Sequence, residues 1–229
     1  MDAESRILEA TAALLADSSN ADVSTRAVCE VAGVQQPVIY RLFGDKDGLL
    51  AAAVDYGFER YLASKRTAVP SKDPIADLRA GWDAHTAFAL TNQSLYRLMY
   101  APGLKAVPEA VGEAHALLGQ VLDRCAAAGR LAISTGIAAQ MVMSANSGVA
   151  LALITRPSIY NDPDISVRVR EATLAAILTS DGDTPRGAPG VISAATTIAS
   201  IIRTDPPATM TPAELGLLAE WMTRLVDVP

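Results

Sequence analysis

The sequence is poor in aromatic residues, cysteine and histidine, and each shortage argues against a class of protein. Phe, Trp and Tyr make up 5% of the 229 residues, whereas hydrophobic residues make up 50%. This balance disfavours an all-β fold and favours helices packed on helices. The two cysteines, Cys29 and Cys125, lie outside any CxxC or Cys/His cluster, so we expect two buried thiols and no disulfide. Two histidines are too few ligands for a metal site, and we expect no metal and no cofactor.

Signals for export or membrane insertion are also lacking. No N-terminal segment combines a basic start with an apolar core, so we expect a cytoplasmic protein. Residues 131–155 carry no charge and have the length of a membrane span, but polar side chains interrupt them, which favours a buried helix. The net charge of −6 argues against nonspecific coating of nucleic acid, which depends on many Lys and Arg side chains. Any contact with DNA must therefore be local.

Four helices are predicted in the first part of the chain, from apolar spacing and from capping residues. They cover residues 3–17, 24–32 and 36–43, and a long fourth helix begins at residue 45. Ser24 is a typical N-cap, with Val23 and Val28 positioned to close a hydrophobic staple. Pro37 suits the first turn of the third helix, and Asp45 can cap the fourth.

Helical patterns continue to the end of the chain. Further helices are expected from residue 74, from residue 94, over 108–128, 131–155, 164–180 and 191–203, and from the capping box that begins at residue 211. In the helix over 108–128, the predicted stripe includes His115, Leu122 and Cys125. We find no internal repeat and no convincing strand, so the expected fold class is all-α.

The second and third predicted helices have the spacing of a helix-turn-helix. Gly33 lies in the short turn between them, and in such a pair the second helix enters the major groove of DNA. Three runs are informative: Ser24-Thr25-Arg26, Ala32-Gly33-Val34-Gln35-Gln36-Pro37-Val38-Ile39-Tyr40, and Phe43-Gly44-Asp45-Lys46-Asp47-Gly48-Leu49-Leu50. In order and spacing, these runs resemble the tetracycline-repressor (TetR) family of transcriptional regulators.

The resemblance implies which side chains meet DNA. Helix three would face the groove with Gln36, Pro37, Val38, Tyr40 and Arg41, and Gln35, just before the helix, is also expected to bind DNA. Tyr40 would donate to a phosphate, whereas Gln36 or Arg41 would reach base edges, since Gln pairs bidentately with adenine and Arg with guanine. The helix-turn-helix would also be positioned on DNA by phosphate contacts from Ser24, Thr25, Arg26 and Lys46.

The charge of this segment departs from that of a typical DNA-binding head. Residues 1–46 carry four basic side chains against seven acidic ones. Most of the acids should face away from DNA, on helix one and in the loop after it. Nonspecific affinity should therefore be low and strongly dependent on salt.

The resemblance further implies a DNA-binding domain over residues 1–46, followed by a larger helical bundle over residues 47–229 that binds an effector and dimerises. Candidates for the ligand cavity combine apolar bulk with a few polar groups. They are Trp82, His85, Phe88, Tyr96, Met99, Tyr100, His115, Met141 and Asn146. Each alone is more often part of a core, and for both histidines we favour a structural role.

A strip of small side chains indicates where two chains meet. Ser144, Gly148 and Ala152 recur every four residues, which lets two helices approach closely. Packing within one chain is the alternative explanation. The helix over 164–180 would supply the second helix of the interface, and two-fold symmetry would set the recognition helices about 34–36 Å apart on a near-palindromic operator.

Together these features predict a homodimeric transcriptional repressor that binds double-stranded operator DNA and is released by a small lipophilic effector. The alternative is an effector-binding or protein-interaction module with a degenerate DNA-binding head. An enzyme is disfavoured, because the sequence contains no nucleophile–base pair, phosphate-binding loop or metal cluster. We therefore expect no catalytic residues.

Overall fold

The structure, a computed structural model, describes residues 2–16, 18, 22–100, 108–179 and 188–226. Within these ranges the chain forms eleven α-helices, and its extended pairing is limited to an isolated bridge between Leu131 and Leu178. The helices are α1 (Ala3–Ala16), α2 (Thr25–Ala32), α3 (Gln36–Phe43), α4 (Lys46–Arg66), α5 (Pro74–Thr91), α6 (Gln93–Met99), α7 (Glu109–Ala127), α8 (Thr135–Thr155), α9 (Ile165–Ile177), α10 (Ala188–Thr204) and α11 (Pro212–Val226). The predicted all-α fold class is confirmed.

The capping residues act where the sequence predicts them. The Ser24 hydroxyl accepts a hydrogen bond from the N–H of Ala27 at 3.1 Å, and Asp45 Oδ1 accepts from the N–H of Gly48 at 2.8 Å. At the start of α11, Glu214 Oε2 accepts from the N–H of Thr211 at 2.7 Å, and the Thr211 hydroxyl accepts from the N–H of Glu214 at 3.3 Å. The predicted capping box is confirmed.

The ninth helix is shorter than predicted, since α9 ends at Ile177 and not at residue 180. Backbone hydrogen bonds to the segment after α7 replace the helical ones. The N–H of Ala132 donates to the Ile177 carbonyl at 2.8 Å, and the N–H of Thr179 donates to the Arg130 carbonyl at 3.1 Å. This pairing draws the chain into an extended conformation, which apolar periodicity alone does not reveal.

The chain divides into two compact units, and α5, α7 and α8 contribute residues to both. The first comprises Met1–Ala68, Ala87–Ala114 and Ala150–Pro157, and the second comprises Val69–Thr86, His115–Val149 and Ser158–Pro229. In the first unit, α1 packs against α2, α4 and α6, and in the second, α10 packs against α11. The predicted boundary after residue 46 separates a DNA-binding domain from an effector-binding domain. The two compact units do not test this functional division, so it stays a prediction.

Helix α8 is, among the described residues, the one helix long and apolar enough to cross a membrane by length and composition. Its most apolar window has a mean hydropathy of 1.6, and 39% of that window is buried. Core helices of folded proteins meet the same criterion, so it does not by itself assign a membrane span.

The two cysteines differ in burial. Cys125 is fully buried, and its burial raises the pKa of the thiol to about 11. Cys29 is only half-buried, so the prediction of a buried thiol is wrong at this position. Its helix, α2, buries Val28 and Ala32, and Cys29 lies at the edge of that buried face.

Candidate functional site

Helices α2 and α3 form the helix-turn-helix, and Gly33 permits the turn between them. Gly33 has a φ of +65°, in the left-handed region that residues with a Cβ atom disfavour. The N–H of Val34 donates to the Cys29 carbonyl at 3.1 Å and closes the end of α2. Val28 and Ile39 are fully buried, so each helix is anchored by one apolar face. The predicted helix-turn-helix is confirmed.

Helix α3 presents an exposed face of mixed chemistry. Ile39 is its buried residue, whereas Val38 is half-buried. The exposed residues of α3 and of the position before it are Gln35, Gln36, Pro37, Tyr40, Arg41 and Leu42. The structure therefore leaves an amide, a phenol and a guanidinium group accessible on one short helix, which is the chemistry that reads base edges and binds phosphate.

Gln36 connects the exposed faces of the two helices. Its Nε2 donates to the Tyr40 hydroxyl at 3.2 Å and to the Thr25 hydroxyl at 3.4 Å. Because Thr25 begins α2, these bonds join the first turns of both helices. Side chains held in this way lose less conformational entropy when a ligand binds them. The sequence spacing of Gln36 and Thr25 does not indicate this contact.

Acidic side chains pair with two of the predicted phosphate-binding cations. Lys46 Nζ lies 2.6 Å from Asp22 Oδ1, and this hydrogen bond lowers the pKa of Asp22. Arg26 Nε lies 3.2 Å from Glu30 Oε1 on the same helix. Arg41 is exposed and forms no ion pair with any residue that the structure describes. Asp22 lies in the loop after α1, as expected, yet it contacts Lys46, which the family resemblance assigns to phosphate binding.

The predicted ligand residues of the first unit include an aromatic cluster. These residues are Phe88, Tyr96, Met99 and Tyr100. The ring of Phe88 lies 4.5 Å from that of Phe58 and 4.6 Å from that of Tyr61, and the rings of Tyr96 and Tyr100 are 5.0 Å apart. Phe58 and Tyr61 belong to α4 and extend the predicted set. Phe58 and Tyr61 are three positions apart and so lie on one face of α4, and this spacing is the sequence signal that could have identified them as ligand candidates.

In the second unit, three predicted ligand residues are buried around a polar network. Asn146 Nδ2 donates to the Thr86 hydroxyl at 3.1 Å, and Trp82 Nε1 donates to the Ser166 hydroxyl at 3.0 Å. The two hydroxyl groups are 3.3 Å apart. His85 is buried on the same helix as Trp82. The network joins α5, α8 and α9, and its polar groups already have partners within the chain.

The remaining two predicted ligand residues are exposed. Met141 is 36% exposed on α8, and His115 is exposed on α7. The placement of His115 on a buried stripe is wrong, because the early part of α7 buries Ala110 and Ala114 instead. The predicted stripe is correct at Leu122, which is fully buried. In the part of α7 that precedes Leu122, the buried face is therefore formed by small alanine side chains.

The strip of small residues on α8 faces outward in the single chain. Ser144 and Gly148 are exposed, and Ala152 is half-buried. Along the same face by helical spacing, Ile137 is 54% exposed and Met141 is 36% exposed. The helix carries no charged residue. Packing within the described part of the chain therefore does not account for this face.

Comparison with known proteins supports the helix-turn-helix assignment. The family model for bacterial regulatory proteins of the tetR family matches residues 7–53, which cover most of α1, all of α2 and α3, and the start of α4. No curated protein matches the chain significantly in sequence.

Solved structures share the fold at low sequence identity. A TetR-family transcriptional regulator from Haemophilus influenzae is 21% identical, with a TM-score of 0.56, over 78% of this chain and 97% of that chain. The fatty acid degradation regulator FadR from Bacillus halodurans is 17% identical, with a TM-score of 0.58, over 74% and 97%. NalD, the secondary repressor of the MexAB-OprM multidrug efflux pump in Pseudomonas aeruginosa, is 16% identical, with a TM-score of 0.54, over 78% and 98%. Residues 7–53 therefore form a helix-turn-helix domain of the TetR family, and the chain has the helical fold of TetR-family transcription regulators.

Proposed function

We propose that this chain is a homodimeric repressor that binds a near-palindromic operator and leaves it when a small lipophilic effector binds. The observation that carries the proposal is the exposed face of α3, where Gln36, Tyr40 and Arg41 are accessible beside the start of α2. Gln36 and Arg41 would contact base edges in the major groove, while Tyr40 would contact phosphate. NalD is a repressor and FadR regulates fatty acid degradation, which favours repression and a lipophilic effector here.

The outward face of α8 supports the dimer. Ile137 and Met141 expose apolar surface that a second copy would remove from water, and Gly148 would allow the two helices to approach closely. Gly148→Lys should therefore convert dimer to monomer in sedimentation experiments and weaken operator binding. Gly112→Lys is the matched control, since Gly112 is also exposed on a helix with open space around it. Equal oligomeric states for both variants would contradict this interface.

The aromatic cluster supports an effector site that acts through α4. This helix begins at Lys46 in the DNA-binding head, and its Phe58 and Tyr61 pack against Phe88 on α5. A molecule that inserts beside Phe88 would change the packing of α4. A coupling free energy of about 1–3 kcal/mol between the two sites would reduce operator affinity roughly 5–150-fold.

The effector can be sought in the purified protein. Native mass spectrometry identifies a molecule that stays bound, and fluorescence anisotropy then measures operator binding with and without it. Phe88→Ala should weaken binding of the molecule, whereas Leu90→Ala, on the exposed side of the same helix, should not. A molecule that binds tightly and leaves operator affinity unchanged would contradict release by this site.

The alternative function, a helical binding module with a degenerate head, has one observation in its favour. Lys46 and Arg26 already pair with Asp22 and Glu30, which reduces the positive charge available to phosphate. A gel shift with DNA flanking the chain's own gene distinguishes the two functions. A sequence-specific complex supports the repressor, and its absence for every flanking duplex supports the binding module.

A further inference from the structure

A cavity of about 770 Å³ lies within the second unit. It is bounded by the start of α5, by the residues that follow α7 and by the end of α9. Its size falls within the range of about 300–1,000 Å³ that is typical of small-molecule sites. None of the predicted ligand residues lines this cavity, so the effector site proposed above does not explain it.

The two acidic residues of the cavity already have partners. Asp73 Oδ1 accepts a hydrogen bond from the N–H of Ile75 at 2.9 Å and so caps α5. Glu171 Oε2 accepts from Arg79 Nη2 at 2.9 Å, and Glu171 Oε1 accepts from Arg170 Nε at 2.8 Å. The hydrogen bond from Arg79 lowers the pKa of Glu171, which therefore stays ionised at neutral pH. Both carboxylates are held by the protein itself.

The basic residues outnumber these acids. Lys72, Arg79 and Arg130 line the cavity, and Glu171 balances the charge of Arg79. Lys72 is exposed and forms no ion pair within the described residues. Beside these charges, Leu174 and other apolar side chains form part of the wall. The cavity therefore offers an ammonium group next to an apolar surface.

We propose that this cavity binds a small organic anion, with a carboxylate or phosphate group paired to Lys72 and an apolar part against Ile75 and Leu174. An ammonium–oxyanion hydrogen bond is charge-assisted and stronger than a neutral one, and the apolar wall favours an organic body over a bare ion. The proposal does not depend on operator binding, because it concerns a site formed by residues of the second unit alone.

Isothermal titration calorimetry on the full chain tests the proposal with benzoate and phenyl phosphate as probes. Inorganic phosphate and benzyl alcohol serve as the bare-anion and neutral comparisons. We expect at least one of the two organic anions to bind with a Kd below about 1 mM, more tightly than either comparison compound. Lys72→Gln should weaken that binding about tenfold or more, as expected for loss of a charge-assisted hydrogen bond. Arg156→Gln removes an exposed cation outside the cavity and should have no effect.

A second pair of variants tests the location of the binding site by filling the cavity with a large side chain, without removing a charge. Ala175 lines the cavity and is exposed, so Ala175→Phe should fill the space and abolish binding while the protein stays folded. Ala84 is exposed on α5 and lies outside the cavity, so the Ala84→Phe variant should bind the anion as tightly as the wild-type protein does. The proposal is overturned if neither organic anion binds, if inorganic phosphate binds as tightly as phenyl phosphate, or if both variants of either pair behave alike.

Discussion

Lys46, the first residue of α4, is paired with Asp22 in the loop after α1, with Nζ 2.6 Å from Oδ1. The family resemblance assigns the same ammonium group to a DNA phosphate. In the proposed complex with DNA, a phosphate must therefore compete with the Asp22 carboxylate for Lys46 or share Lys46 with it. Asp22 should consequently weaken operator binding.

Asp22→Asn should tighten operator binding by roughly 3–10-fold and steepen its dependence on salt. Each additional phosphate contact adds about 0.9 to the slope of log K against log salt, so a dimer should gain about 1.8. Glu9→Gln is the control, since it removes the same charge from an exposed site on α1. Equal effects of the two variants would show that general charge, and not the ion pair, limits affinity.

Tyr40 and Gln36 should affect DNA binding in different ways, although they are hydrogen-bonded to each other. Tyr40→Phe should weaken binding to all operator variants by a similar factor, because a phosphate contact carries no sequence information. Gln36→Ala should reduce discrimination at one base pair by about 1–3 kcal/mol. Anisotropy titrations with singly substituted duplexes measure both effects, and Leu42→Ala, exposed on the same helix, serves as control. Identical profiles for Tyr40→Phe and Gln36→Ala would refute this division.

Asp55 links α4 to the start of α7, because its Oδ1 accepts a hydrogen bond from the N–H of Ala110 at 2.9 Å. The early N–H groups of a helix have no partner within the helix, so this carboxylate acts as a cap. Asp55→Ala should lower the free energy of unfolding by about 1 kcal/mol, measured by urea denaturation. Asp55→Asn keeps an acceptor oxygen and should retain most of the stability. Equal losses in the two variants would exclude capping as the cause.

The two cysteines should differ in reactivity. Burial raises the pKa of Cys125 to about 11, so its reactive thiolate form is scarce at pH 8, whereas Cys29 is half-buried. In the native protein, DTNB should modify one thiol per chain rapidly, and Cys29→Ser should remove that phase. Denaturant should expose the second thiol. A fast phase that persists in Cys29→Ser would contradict the burial of Cys125.

The helix-turn-helix could be predicted in detail because its signals are local. Ser24 and Asp45 cap the helices that follow them, and Gly33 adopts a positive φ in the turn. The pairing of Lys46 with Asp22 could not be predicted, because it joins residues 24 positions apart in the sequence and no local signal indicates it. The same applies to the contact between Gln36 and Thr25.

The exposed position of His115 shows a second limit of sequence patterns. A stripe of large apolar residues suggests which face of α7 is buried, but Ala110 and Ala114 occupy the buried face in the first half of the helix. Alanine is common on both buried and exposed faces, so its pattern does not distinguish them. The exposed apolar face of α8 is likewise not explained by packing within the described residues.

Operator binding by the intact chain is the decisive measurement for the proposed repressor function. Fluorescent duplexes that tile the DNA flanking its own gene are titrated with the wild-type protein, with Arg41→Ala and with the control Arg156→Ala. We expect two chains to bind a near-palindromic duplex tightly, with binding unchanged in Arg156→Ala and weakened by about 1–3 kcal/mol or more in Arg41→Ala. Binding to none of the duplexes, or equal binding to all of them that Arg41→Ala leaves unchanged, would contradict the proposed repressor function.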